Sequence, residues 1–286
     1  MKKIILFLPI ILLLFCFCKS EKPVPESVNK LVEKKEIEIP SGNTIESRFG
    51  TPERFDRIAV SENSFAQYLR KLPLKSANTD VLLYNKNKKA NQSAHAAVID
   101  IDTGNRDLQQ YADAVMRLRA EYLFSQKKYE DIHFDFVNGF NADYKAWRLG
   151  KRISVKGNSV QWVASNRESS SYESFRKYLN MVFAYAGTAS LEKEMEKVEL
   201  NEMEIGDVFI QGGSPGHAII VVDMAENKNT GKKLFMLAQS YMPAQDIHVL
   251  KNPNNKNIGP WYELDFGEVL NTPEWRFTKN DLRRFQ

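Results

Sequence analysis

Four apolar runs between Gly206 and Leu250 limit what this chain can become. Gly206-Asp207-Val208-Phe209-Ile210 ends in the turn Gly212-Gly213-Ser214-Pro215-Gly216, and His217 opens directly into Ala218-Ile219-Ile220-Val221-Val222-Asp223. A polar break at Asn227-Lys228-Asn229-Thr230-Gly231 precedes Leu234–Ala238, which ends in Gln239-Ser240-Tyr241, and Ile247-His248-Val249-Leu250 closes the block. Short apolar runs bounded by Gly, Asn and Pro predict buried strands joined by turns. A chain with such a block must build a sheet covered on both faces, and the rest of the sequence has to supply the cover.

Upstream, the pattern alternates between helix and strand. Phe55–Val60 predicts a strand, and Ser61 caps a short helix through Leu72 that Pro73 ends. Val81–Tyr84 and His95–Ile101, separated by the polar Asn85–Ser93, predict an antiparallel pair with a mobile loop. With Asp107 or Asn105 as cap, Leu108, Tyr111, Ala112, Val115, Leu118 and Tyr122 recur at helical spacing and predict an amphipathic helix. Ile132–Phe136 reads as a strand, and Lys151–Val155 with Ser159–Ala164 as a hairpin turning at Gly157-Asn158. A second helix covers Tyr172–Ala186, with Phe175, Leu179, Val182 and Phe183 inward and Gly187 at its end, followed by a short charged helix at Leu191–Val198. Past Leu250 the chain is loop-rich, with Trp261, Tyr262, Trp275 and Phe277. The predicted class is α+β, an antiparallel sheet with packed helices.

The N-terminus is of a different kind. Lys2-Lys3 precede the apolar Ile4–Phe15, too short to span a bilayer comfortably and of the length of a secretory h-region. The run ends at Cys16-Phe17-Cys18 and turns polar at Lys19, which resembles a bacterial lipoprotein signal with a permissive lipobox. Lipidation is expected on Cys18, where the polar chain begins, with Cys16 as the alternative and a plain signal peptide as the bland one. Acylation there would hold the protein on a membrane, each buried CH₂ adding roughly 0.8 kcal/mol. The expected layout is therefore a signal and lipobox over 1–18, a solvated tether over 19–44 carrying Pro23, Pro25 and Pro40, and a single α+β domain over 45–286 in the bacterial envelope.

Both cysteines of the chain lie in that first segment. The body thus has no disulfide, no Cys-type zinc site and no thiol nucleophile. The formal charge of +4 falls by two when Lys2 and Lys3 go with the signal, a near balance that argues against nucleic-acid binding. The turn Gly212–Gly216 lacks the Lys-Ser/Thr of a phosphate loop. Asp100-x-Asp102-x-Gly104-Asn105-x-Asp107 has the look of a calcium loop, but Tyr111 stands where such a loop needs Glu. No metal and no cofactor are expected.

Gly-Asp-Val-Phe followed by a His that opens a strand resembles the local pattern of papain-like cell-wall hydrolases of the NlpC type. The resemblance implies a papain-like core with insertions, His217 as general base, a third group orienting the imidazole, and a nucleophile at a helix N-terminus. From about Ile45 onward the chain also resembles an uncharacterised family of bacterial envelope lipoproteins, domain of unknown function 4846. The likeness is carried by Asp100-Ile101-Asp102, Arg117-Leu118-Arg119-Ala120-Glu121-Tyr122, Asn138-Gly139-Phe140, Ala238-Gln239-Ser240-Tyr241-Met242-Pro243-Ala244-Gln245-Asp246-Ile247-His248 and Pro260-Trp261-Tyr262. In that family the helix commonly begins Gln-Gln-Cys; here Gln109-Gln110 lead into Tyr111. A phenol with a pKa of about 10 is a weak acyl-transfer nucleophile and far bulkier than a thiol.

The resemblance therefore implies an impaired hydrolase scaffold that binds cell-wall peptide or another envelope ligand. Tyr111 would fill the nucleophile position, His217 and Gln239 would remain as the polar pair, and Gln110, Gly216, Ser240 and Tyr241 would line the groove. Gln239 either orients the imidazole or is simply a polar strand end, and Gln109 and Gln110 either donate to an oxyanion or are ordinary first-turn residues. Two other readings stand beside this one. An active amidase or peptidase would use a hydroxyl from Ser240, Ser214 or Ser171, and a structural lipoprotein would dock a partner through its aromatic C-terminal loops. Arg117 and Glu121 suggest a surface i, i+4 pair. His95, His133 and His248 read as core or edge histidines. Trp147, Trp162, Trp261 and Trp275 could stack on sugar rings, with core packing expected for at least half of them.

Overall fold

The computed structural model describes residues 37–164 and 167–286. Cys16, Cys18, the expected signal and most of the expected tether fall outside the described residues. The packed part takes in residues 37–44, ahead of the start expected at Ile45: Gly50 N donates to Ile37 O and Ile39 N to Arg48 O, both short backbone bonds.

The predicted apolar block forms the middle of an antiparallel sheet. From one edge the strand order is His95–Val98, His248–Leu250, Lys232–Gln239, His217–Asn227, Val208–Gln211, Leu282–Arg284, Glu196–Lys197. Asp56–Arg57 pairs with the far end of His217–Asn227, and Trp261–Glu263 with Lys232–Gln239. His217–Asn227 is buried along nearly its whole length. Ala218, Ile220 and Val222 enter a core shared with the helices, while Ile219 and Val221 enter a second core with Phe209, Phe235, Tyr262 and Phe277. A strand covered on both faces needs this unbroken apolar run, which is why the block was legible.

A bulge breaks the alternation. Met236 pairs with Asp223 and Leu237 with Val221, so Val222 is the extra residue. Past the bulge Ala225 joins the helix-side core and Met224 the other, so Asp223 shares a face with Ala225. There the fully buried Asp223 carboxylate meets Arg57 Nε and Arg70 Nε, each at 2.7 Å.

Helix Tyr111–Ser125 lies against the His217 strand and is buried nearly all round, with helix Tyr172–Tyr185 beyond it and Phe124 stacked on Phe175 at 4.3 Å. It starts at Tyr111, later than the expected Asp107 or Asn105, so Leu108 lies outside it. The carboxylate of Asp107 is drawn elsewhere, accepting from Ala244 N at 2.7 Å and Gln110 Nε2 at 2.8 Å. Asp113 instead takes the Gln110 backbone N–H at 3.1 Å. The second helix likewise ends at Tyr185, with Ala186 rather than Gly187 as its C-cap.

Other expectations need correcting. Helix Phe65–Arg70 is capped by Ser64, not Ser61, and the following charged helix is Thr188–Glu194, with Glu196–Lys197 already a strand. Val81–Tyr84 does not pair with His95–Ile101. Its backbone instead bonds locally to 87–89 and across to 244–246, with the Gln92 side chain on both backbone groups of Val81, and His95–Val98 pairs with His248–Leu250. The C-terminal region is rich in loops as expected but also adds short strands: Leu282–Arg284 extends the main sheet and Val269–Asn271 pairs with Arg276–Thr278. Its aromatics pack inward, Trp261, Tyr262 and Phe277 being buried, and Trp147 is buried as well. No helix among the described residues is long and apolar enough to cross a membrane.

Candidate functional site

The Gly-rich turn sets His217 at the start of its strand, opposite Gln211. Gly216 has no room for a side chain, since a Cβ would clash with Thr188 Oγ1 and meet Gln211 O at 2.8 Å. His217 is fully buried. Its Nε2 lies 2.9 Å from Oε1 of Gln239 on the neighbouring strand.

The protons in this pair follow from the next shell of contacts. His248 Nδ1 sits 2.9 Å from the Asp246 carbonyl, which can only accept, so Nδ1 carries a hydrogen. Burial pushes the His248 imidazole down to about 3, so it is neutral and its Nε2 is a bare acceptor. Gln239 Nε2 lies 3.3 Å from that nitrogen and 2.8 Å from Glu274 Oε2, both acceptors, which fixes the amide with Oε1 toward His217. His217 therefore donates through Nε2–H, and its Nδ1 keeps a lone pair. That Nδ1 is buried and has no partner. Glu274 is held in turn by Asn91 Nδ2 at 3.0 Å and by a short ion pair to Lys89.

Rings enclose the imidazole. Tyr111, the first residue of its helix, meets His217 edge-to-face with centroids 4.8 Å apart and planes at 89°. Tyr241 lies 5.1 Å and Trp275 5.1 Å from it by centroid, and Phe277 stacks at 5.8 Å. Burial pushes the Tyr111 phenol up and the His217 imidazole down to about 4, the latter helped by Lys89 and opposed by the Gln239 bond. A phenolate–imidazolium pair is thus disfavoured from both sides. The Tyr111 hydroxyl does not reach Nδ1 by a hydrogen bond.

Beside Tyr111 opens a cleft of about 510 Å³, walled by Gln110, Asp113, Thr188, Gly216 and Met242. His217 does not line it; Tyr111 stands between. The structure thus brings Tyr111, His217, Gln239 and Tyr241 into one cluster and sets Gln110, Tyr111 and Gly216 on the cleft. Ser240 is elsewhere: fully buried, its hydroxyl lies 3.0 Å from Gln109 O and 2.9 Å from Gln245 O, tying the strand end to the helix approach. Ser171 caps the Tyr172 helix, and Ser214 is exposed on the cleft rim. Asp113 faces the cleft as a buried carboxyl, raised well above its usual range by burial, with Oδ1 unpartnered.

Glu274 and Lys89 were missed from sequence, because they come from separate loops whose local pattern carries no spacing signal, and Trp275, expected as a possible sugar platform, packs on His217 instead. The pair Arg117–Glu121 exists, Nε to Oε1 at 2.6 Å, but its Arg117 end is buried and only Glu121 is partly exposed. Arg117 also binds Asp102 O, Gln109 Oε1 and the Tyr172 hydroxyl. Among the described residues no group of three His, Cys, Asp or Glu is placed to hold a metal ion.

The buried histidines make a pH prediction. The folded state refuses the proton that an unfolded His217 takes up near its usual 6.5, so its contribution to stability is intact above pH 6.5 and lost as pH falls toward about 4. The loss is on the order of 3 kcal/mol across that window. Glu194, pushed up to about 7 by burial, and Asp113 act in the opposite sense, losing stability as pH rises. The His217 part is therefore read as a difference. In urea unfolding at a series of pH values, the wild type should lose more stability between pH 6.5 and 4 than His217→Gln; equal losses would refute the assignment.

Fold and site together define an α+β protein built on an antiparallel sheet, with a buried imidazole–amide pair at one sheet end and a helix N-terminus packed on it. A family model matches residues 45–284, and the chain belongs to that family, described as Domain of unknown function (4846). No curated protein and no solved structure matches the chain.

Proposed function

We propose that this is an envelope lipoprotein whose body is a papain-like hydrolase scaffold turned to binding. The cleft beside Tyr111 takes cell-wall peptide or another envelope ligand, with Gln110, Tyr111 and Gly216 on its wall, while His217 and Gln239 hold Tyr111 in place from behind.

The observation that carries this reading is the edge-to-face contact of Tyr111 with a neutral, buried His217. An imidazole with a free Nδ1 and an amide on Nε2 is oriented as a general base would be, yet a phenol ring occupies its front and no thiol exists in the body. The hydroxyl alternative is weakened by Ser240, whose proton is shared between two backbone carbonyls. An arrangement with base and orienter kept but no activated nucleophile suits recognition without turnover.

Titration of the purified protein with muropeptides is expected to give saturable binding without any change in the ligand's mass. Tyr111→Ala should weaken that binding by about tenfold, equivalent to about 1.4 kcal/mol. Turnover of peptidoglycan fragments that vanishes in His217→Ala would replace this reading with an active hydrolase.

A further inference from the structure

Next to the Tyr111 cleft lies a second one of about 430 Å³, between the 102–109 segment and helix Tyr172–Tyr185. The two share Leu108 and Phe183 as lining residues, so they adjoin. The second cleft contains two buried donors with nothing to donate to, Gln109 Nε2 and Arg176 Nη1.

Gln109 is 1% exposed, and its orientation is not free. Oε1 accepts from Arg117 Nη1 at 2.9 Å, and a guanidinium can only donate, so Nε2 must be the end left over. Among the described residues the carboxylate within ion-pair distance of Arg176 is Asp102, Oδ2 lying 3.5 Å from Nη2, which is long for a charge-assisted bond, with Glu121 acting on its charge as well. The Asp102 side chain is 68% exposed and looks mostly to water. Arg117 stands close enough to disfavour the Arg176 charge further, after burial itself. Buried polar groups in folded proteins are nearly always paired, and an acceptor that enters this cleft would pair both donors. An acceptor with two oxygens and a negative charge meets the need of both groups, one amide and one guanidinium N–H.

We propose that Arg176 and Gln109 form a carboxylate site, which binds an acidic group of the same ligand that occupies the Tyr111 cleft. This rests on the reading of that cleft as a peptide groove and narrows it to acidic peptides. The carboxylate enters beside Phe183, takes one N–H from Gln109 and one from Arg176, and displaces the loose contact of Arg176 with Asp102. Leu108 and Phe183, between the clefts, meet the apolar part of the chain that joins the two ends of the ligand.

The test uses the full-length protein and one peptidoglycan-derived peptide in two forms, with free carboxyls and with carboxyls amidated. The wild type is expected to bind the free acid at least about tenfold more tightly, and Arg176→Gln to lose that preference and bind the two forms alike. Equal affinity of the wild type for both forms overturns the carboxylate site and leaves the groove standing. A preference that persists in Arg176→Gln puts acid recognition elsewhere and also overturns it. Binding of neither form overturns both readings. The comparison of the two ligands on the wild type stands whether or not the variant folds.

Discussion

Glu274→Ala is expected to destabilise the protein by about 3–5 kcal/mol and to loosen the imidazole–amide pair at the same time. The Glu274 carboxylate accepts from Lys89, Asn91 and Gln239, and the Lys89 side chain is only 7% exposed. Truncation leaves a buried ammonium without its counter-charge, which is the costly half of breaking such a pair. It also removes one of the two acceptors that hold Gln239 Nε2 away from His217. With only His248 left to fix the amide, the donor role of His217 Nε2 is less firmly set. Urea unfolding reads the stability loss, and imidazole nitrogen shifts read the tautomer. The double variant with Lys89→Met should recover much of the stability, because it removes the stranded charge, but not the tautomer. A loss below about 1 kcal/mol for Glu274→Ala would mean the cluster is solvated and the tautomer argument is wrong.

Asp223→Ala should be as severe, by about 3–5 kcal/mol, for a reason remote from the cleft. Its carboxylate accepts from Arg57 and Arg70 and from the backbone of Met224, and the side chain is wholly buried at the bulge of the central strand. Arg70 ends a short helix and Arg57 belongs to a two-residue strand, so side chains of both elements converge on this one residue. Without it two guanidiniums remain in the interior. Asp223→Asn, which keeps an acceptor but not the charge, should fall between alanine and the wild type. Calorimetric or urea unfolding measures the series; an alanine variant as stable as the wild type would show that Arg57 and Arg70 find water instead.

What could be read from sequence and what could not divide along physical lines. The strands at Val208, His217, Leu234 and Ile247 were legible because a strand buried on both faces leaves an apolar run that no loop tolerates. The hairpin at Gly157-Asn158 announced itself through its turn residues. The start of the Tyr111 helix was misplaced because Asp107 satisfies a backbone N–H of Ala244, some 137 residues away, and a capping residue in sequence cannot show which N–H it will find. Val81–Tyr84 has a strand's composition, but its backbone bonds go to 87–89 and 244–246 as isolated bridges rather than to His95–Ile101. The short C-terminal strands have too few residues to show a period, and their aromatics only make sense against the face of Phe209 and Phe235.

For the candidate site, proximity of Tyr111, His217 and Gln239 was inferable from two helix-and-strand landmarks, but their chemistry was not. Which nitrogen of His217 carries the proton depends on Glu274 and His248, contributed by a loop and an edge-side strand. The burial of Arg117 was hidden for a similar reason. An i, i+4 pair reads as a surface feature until the Tyr172 hydroxyl and the Asp102 carbonyl are seen to close over it.

The central claim is that Tyr111 forms the ligand-facing cover of a buried imidazole. The most direct measurement is an NMR titration of the protein with a muropeptide, following the ring signals of Tyr111 and the imidazole of His217 with the exposed Val269 methyls as a control. The account predicts that Tyr111 shifts first and most, that His217 follows with no change of protonation state at neutral pH, and that Val269 stays fixed. Shifts that spare Tyr111, or an imidazole that takes up a proton on ligand addition, would contradict it.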